Sequence, residues 1–192
     1  MSGAEYVGGI AGRNRGSITD CKLEDVSVIW TADVDNGLTK AYAGGIAGIN
    51  EYMGTISGCT ETRVTITGSR KNDENSLYIG GAAGISRSTI TNCQIKDSLI
   101  DGNKANAGNA YAGGFVATDD MGSAEAGSNT GTMSALVMEN TRVESNYQAG
   151  GIIGDLGYGC VDSAELKNVS VYGKNSAGQV AGIARSGKAV VR

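Results

Sequence analysis

Tyr42-Ala-Gly-Gly-Ile-Ala-Gly48, followed by Gly54-Thr-Ile-Ser-Gly-Cys-Thr-Glu-Thr-Arg-Val-Thr-Ile66, is the stretch on which the fold turns. Its first half recurs as Tyr6-Val-Gly-Gly-Ile-Ala-Gly12, Tyr78-Ile-Gly-Gly-Ala-Ala-Gly84 and Tyr111-Ala-Gly-Gly-Phe-Val-Ala117. A fifth copy, Tyr147-Gln-Ala-Gly-Gly-Ile-Ile-Gly154, is one residue looser. The first glycines of these pairs stand at 8, 44, 80, 113 and 150, so the steps are 36, 36, 33 and 37 residues. A degraded copy, Ala177-Gly-Gln-Val-Ala-Gly182, runs toward the C-terminus. The second half recurs as Gly16-Ser-Ile-Thr-Asp-Cys-Lys-Leu-Glu-Asp-Val-Ser-Val28 and Ser88-Thr-Ile-Thr-Asn-Cys-Gln-Ile-Lys-Asp-Ser-Leu-Ile100. A fixed period of this length means one structural unit stacked on the next.

Within a unit, short β-branched runs are broken by Gly, Asn, Asp and Ser, the pattern of strands joined by tight turns. Ile18 and Cys21 are three apart, so a straight strand would put them on opposite faces. A bend at Asp20, Gly58 or Asn92, residue types that tolerate positive φ, lets both face inward. Leu23 and Val26 imply a second bend near Asp25, and a third turn lies at Asn14 to Gly16. The expected fold is all-β: a right-handed parallel β-helix (β-solenoid) of about five coils with loop inserts, each coil holding about three strands. Coils start near residues 6, 42, 78, 111 and 147, with a partial one near 175, all within a single repeat domain spanning residues 1–192.

Composition fits this reading. The chain has 31 glycines in 192 residues and no proline, as expected where nearly every backbone N–H donates to the next coil. A net charge of −4 argues against nucleic acid or anionic lipid as the main partner. No apolar run approaches the ~20 residues that would span a bilayer, so no membrane insertion is expected.

The Gly-Gly-Ile-Ala-Gly, Ile-x-x-Cys and Val-x-Val pattern resembles the GLUG repeat of bacterial surface and secreted proteins. The resemblance runs from residue 6 to about 184, with Ala82, Ala117 and Gln179 as departures. It implies a non-catalytic scaffold or adhesive segment, bacterial and extracellular, joined to flanking domains of a longer chain. A host protein or glycan is the implied partner. The alternative it implies is an accessory region of a secreted peptidase such as an IgA-cleaving metallopeptidase. A polysaccharide-active β-helix enzyme is a further alternative. The sequence itself argues against catalysis, since it has no histidine and its carboxylates gather on no one strand face.

Candidate binding residues are those on the inserts and the tyrosine register. The inserts run from Trp30 to Ala41, Gly68 to Leu77, Asp101 to Ala110 and Asp119 to Gly131. They vary in length as binding loops do, and all but the last, which lies within a coil, fall at the same corner. Trp30 is the natural anchor, with Asp33, Asp35, Arg70 and Lys71 beside it in sequence. Tyr42 and Tyr78 offer aromatic faces, although a stacked structural ladder is the plainer reading. Both faces of the strand around each Gly-Gly pair are small or apolar, so something beyond the coil interior is expected to cover it.

Cys21, Cys59 and Cys93 share one register position and read as buried free thiols, with no cofactor or metal site. Glu61 falls where Leu23, Ile95, Met138 and Leu166 fall. A carboxylate on a core stripe is a functional candidate, but half-exposure or a local register shift is the plainer expectation. Ice binding would need regular Thr-x-Thr ranks, and Val64-Thr-Ile-Thr67 has no echo in the other coils.

Overall fold

The computed structural model describes residues 5–32, 40–70, 76–103, 109–119, 131–185 and 188–189. All paired strands are parallel, and they build five sheets through which the chain passes once per repeat. Sheet I holds Tyr6–Gly8, Lys40–Gly44, Ser76–Gly80, Ala110–Gly113, Gln148–Gly150 and Ser176–Gly178. Sheet II begins with Ala11–Asn14 and Ala47–Asn50, sheet III with Ser17–Thr19 and Thr55–Ser57. Sheet IV begins with Lys22–Glu24 and Thr60–Thr62, and sheet V with Ser27–Ala32 and Thr65–Arg70. Sheets I, II and III have six strands and sheets IV and V have five, which makes a parallel β-solenoid of five coils and part of a sixth.

Each coil therefore has five strands rather than three. The bends read near Asp20 and Asp25 are real. Positive φ occurs at Asp20, Gly58, Asn92 and Ala135 between sheets III and IV, and at Asp25, Arg63, Asp97, Asn140 and Asn168 between sheets IV and V. The corner at Asn14 is present too, stitched by a side-chain ladder. Asn14 Nδ2 donates to Asn50 Oδ1 at 2.9 Å, and Asn50 Nδ2 donates to Ser86 Oγ at 3.2 Å. Asp119 takes the next rung, where its carboxylate accepts the N–H groups of Gly157 (2.5 Å), Tyr158 (3.1 Å) and Gly159.

What the expectation lacked was the corner at the Gly-Gly pair. The pair is no strand interior: it separates sheet I from sheet II, which fold back upon each other. A Cβ on Gly44 would lie 2.7 Å from Ala83 Cα, so the first glycine allows the backbones to approach. The second glycine faces the central side chain of sheet IV: a Cβ on Gly81 would lie 2.5 Å from Ile95 Cδ1. This corner also removes the expected need for an outside cover. Ile46, Phe115 and Ile152 belong to the main core within the coil. Tyr42, Tyr78, Ile49, Ile85 and Ala117 form a second, smaller core, with Tyr6 and Tyr111 packed against it.

Cys59 and Cys93 are buried free thiols as expected, while Cys21 and Cys160 are half-exposed. Burial pushes the Cys93 thiol up to about 12 and raises that of Cys59. Thiol reagents are accordingly expected to label Cys21 and Cys160 in the native protein, and Cys59 and Cys93 only after denaturation. Peptide mapping of labelled cysteines checks this; early labelling of Cys93 would contradict the stacking.

The outer side of sheet IV and its corner with sheet V carry coil-to-coil charge pairs. Arg63 Nε lies 2.6 Å from Asp25 Oδ1, and Lys167 Nζ lies 2.9 Å from Glu139 Oε1. These groups are exposed, and such pairs contribute little to stability.

Candidate functional corner

The repeats differ in length at two connections: from sheet II to sheet III, which takes residues 119–131 in the fourth coil, and, repeatedly, from sheet V to sheet I. The latter takes residues 33–39 in the first coil, 71–75 in the second and 103–109 in the third. After that it shrinks to two residues, Asn146 and Tyr147, and then Lys174 and Asn175. The strand register puts Tyr111 beside Gln148 and Gln148 beside Ser176. One step back along each strand, Tyr147 lines up with Asn175, and one further step aligns Asn109, Asn146 and Lys174.

Tyrosine is the residue that distinguishes this corner. Tyr6, Tyr42, Tyr78 and Tyr111 stack with ring centroids 5.4, 5.0 and 4.7 Å apart and interplanar angles of 10°, 17° and 10°. These four rings form a structural ladder. Burial drives their phenols up, to about 12 for Tyr6 and Tyr78. Tyr147 is one residue out of register, so Gln148 takes the ladder position. The Tyr147 ring turns 75° from that of Tyr111, edge-on at 5.3 Å. It lines a cavity of about 400 Å³ together with Asn109, Asn146, Lys174 and Asn175.

Coil-to-coil bonds hold this corner in place. Ser145 Oγ donates to the Ala110 carbonyl and accepts the Tyr147 N–H at 3.1 Å. Asn146 Oδ1 accepts the Ala110 N–H at 2.9 Å, which fixes the amide end of that side chain as a donor. The Asn175 N–H donates to the Tyr147 carbonyl at 2.8 Å.

Other expected site residues lie elsewhere. Trp30 is not an exposed anchor. It belongs to a sheet V strand, is 0% exposed, and packs in the main core opposite Gly68. The strands of sheet V reach further than the sequence suggested, so the inserts are shorter. Tyr42 and Tyr78 are buried in the ladder, at 2% and 8% exposure, and offer no open aromatic face. Arg70 ends its strand, and its side chain lies outside the described residues, as do Asp33, Asp35 and Lys71 altogether. Among the described residues no group of three or more Cys, Asp or Glu is placed to hold a metal ion.

Hydroxyl ranks do exist, on sheet III rather than at 64–67: Ser17 beside Thr55, and Thr19, Ser57, Thr91 and Ser134 in one column. The repeated Ser-Ile-Thr and Thr-Ile-Ser triplets carried that signal. Thr55 Oγ1 donates to Ser17 Oγ at 3.1 Å, and the Thr91 and Ser134 hydroxyls share a bond of 3.1 Å, so these groups stitch one coil to the next.

Residues 3–29, which cover most of the first coil, match the family model of the GLUG motif. The chain carries a GLUG motif in its first coil. Each later coil stacks on the GLUG-matched one in continuous register, from Tyr6 beside Tyr42 to Gln148 beside Ser176. No curated protein and no solved structure matches the chain. In these stacked coils the glycine pair is thus an architectural device, and the sheet V to sheet I corner is a variable one.

Proposed function

We propose that this GLUG-repeat region is a non-catalytic interaction segment of a bacterial surface or secreted protein, a rigid β-solenoid that presents one variable corner to a host protein or glycan. The observation that carries the reading is the contrast between a regular five-strand coil and connections from sheet V to sheet I that run from seven residues (33–39) down to two. A scaffold that only set distance would gain nothing from an aromatic side chain moved out of its ladder into a cavity. The bacterial and extracellular setting follows from the GLUG resemblance alone.

The test is display of the chain on beads probed against arrays of host glycoproteins and glycans. Saturable retention on a defined subset is expected. Retention no greater than that of beads bearing an unrelated β-solenoid would leave the chain a spacer and overturn the proposal.

A further inference from the structure

We infer that the cavity around Tyr147 is a binding site for a saccharide that carries a carboxylate. This rests on reading the chain as an interaction segment and names the ligand class of its corner. Sugars present two kinds of surface, a C–H face and a rim of hydroxyls that both donate and accept. The lining supplies a counterpart to each. The Tyr147 ring offers an aromatic face, held edge-on by Tyr111 at 5.3 Å and outside the buried stack. Three carboxamides, Asn109, Asn146 and Asn175, supply donors and acceptors within one wall.

Charge narrows the class. Among the described residues the lining contains one cation, Lys174, and no carboxylate, although the chain as a whole carries a net −4. An acidic ligand meets an ammonium there and no competing negative charge. Size agrees, since about 400 Å³ lies at the lower end of small-ligand pockets, which run from roughly 300 to 1,000 Å³. Pre-organisation agrees as well. Ser145 and Asn146 grip both backbone groups of Ala110, and Asn175 is tied to Tyr147, so little ordering remains to be paid on binding.

The register slip gives the site its origin. A tyrosine at 148 would extend the ladder by one more ring. Placing it at 147 leaves Gln148 in the second core's column, 5% exposed with its Oε1 unbonded, a position a ladder ring would fill without an unpaired polar atom. The sequence accepts a buried polar defect and gains an aromatic ring in the cavity.

The experiment is calorimetric titration of the whole chain with a galacturonic acid oligomer and with the neutral galactose oligomer. Saturable binding of the acidic oligomer is expected, weakened roughly tenfold or more in Tyr147→Ala. Lys174→Gln should erase the preference for the acidic oligomer. Asn175→Asp, which keeps the ring and adds a carboxylate to the wall, should abolish acidic binding while the melting temperature stays unchanged. No saturable heat, equal affinity for both oligomers, or binding untouched by all three substitutions would overturn the inference. Retention on the host array combined with any of those results would refute the saccharide site and leave the interaction segment standing.

Discussion

Gly80→Val is expected to prevent the solenoid from closing at its third coil, at a cost of at least about 3 kcal/mol. Gly80 ends a strand of sheet I immediately before the corner. A Cβ there would lie 2.7 Å from the Ala83 carbonyl carbon and 2.8 Å from the Phe115 carbonyl oxygen. Both neighbours are backbone, one of them in the coil above, so no rotamer change relieves the overlap. Relief requires parting sheets I and II, and that opens the second core around Tyr78 and Ile85. Gly16→Ala is the control, because nothing lies within 4 Å of a Cβ at that position. Its stability should remain within about 0.5 kcal/mol of the native chain. Urea unfolding monitored by circular dichroism measures both. A Gly80→Val protein as stable as Gly16→Ala would show that sheets I and II do not approach as described.

Glu61→Leu should move stability the other way, raising it by about 1–3 kcal/mol near neutral pH. Glu61 sits in the column Leu23, Glu61, Ile95, Met138, Leu166 with no slip of register. It is 1% exposed, and neither carboxyl oxygen has a hydrogen-bond partner. The expectation of a half-exposed or shifted position is thus overturned. The carboxyl fills the space left by Gly45, where a Cβ would fall 2.9 Å from its Cδ. Burial without a compensating charge holds its pKa well above the ordinary 4.5.

The sign of the pH effect follows. Below the unfolded value the group is neutral in both states and carries no ionisation penalty, only the pH-independent cost of burying an unbonded carboxyl. As pH rises toward the raised native value, the unfolded chain gains by ionising while the native chain cannot, so native stability falls. The titratable neighbours Cys59 and Cys93 are also pushed up by burial, Cys93 to about 12, and stay neutral over this range. Exposed carboxylates act in the opposite sense: Asp25 is held low by its bond to Arg63, and Glu139 by Lys167 and Lys96, so their contribution is lost on acidification. The variant must therefore be compared with the native chain at each pH. The gap should be smallest in mild acid and widen with pH, and Glu61→Gln should flatten the same pH dependence. A gap independent of pH would mean that Glu61 reaches water.

How far these features could be read in advance depended on whether they are local. The bends at Asp20 and Asp25 were legible, because Asp, Asn and Gly at a three-residue offset between apolar positions leave few other conformations. The cysteine column followed from the period alone. The Gly-Gly corner was not legible, since two glycines within an apolar run suit a strand as well as a fold-back. The difference lies in backbone from the next coil. Trp30 misled for a similar reason. Only the register reveals that it sits opposite Gly68, in a sheet V strand whose neighbours include the buried Val28 and Ile66. The slip at Tyr147 was visible as a one-residue offset. Its consequence was hidden, because Lys174 and Asn175 reach the same cavity from 27 and 28 residues further along the chain.

The central claim is that each repeat is one coil of a parallel stack, so distance along the solenoid counts repeats. Nitroxide labels on Glu24, Glu139 and Lys167, which share one exposed column of sheet IV, test this by dipolar electron resonance. With ~4.8 Å per coil, the stack places Glu139 about 14 Å and Lys167 about 19 Å from Glu24, each as a narrow distribution. Broad distributions, or a Glu24–Lys167 distance no longer than that from Glu24 to Glu139, would contradict it.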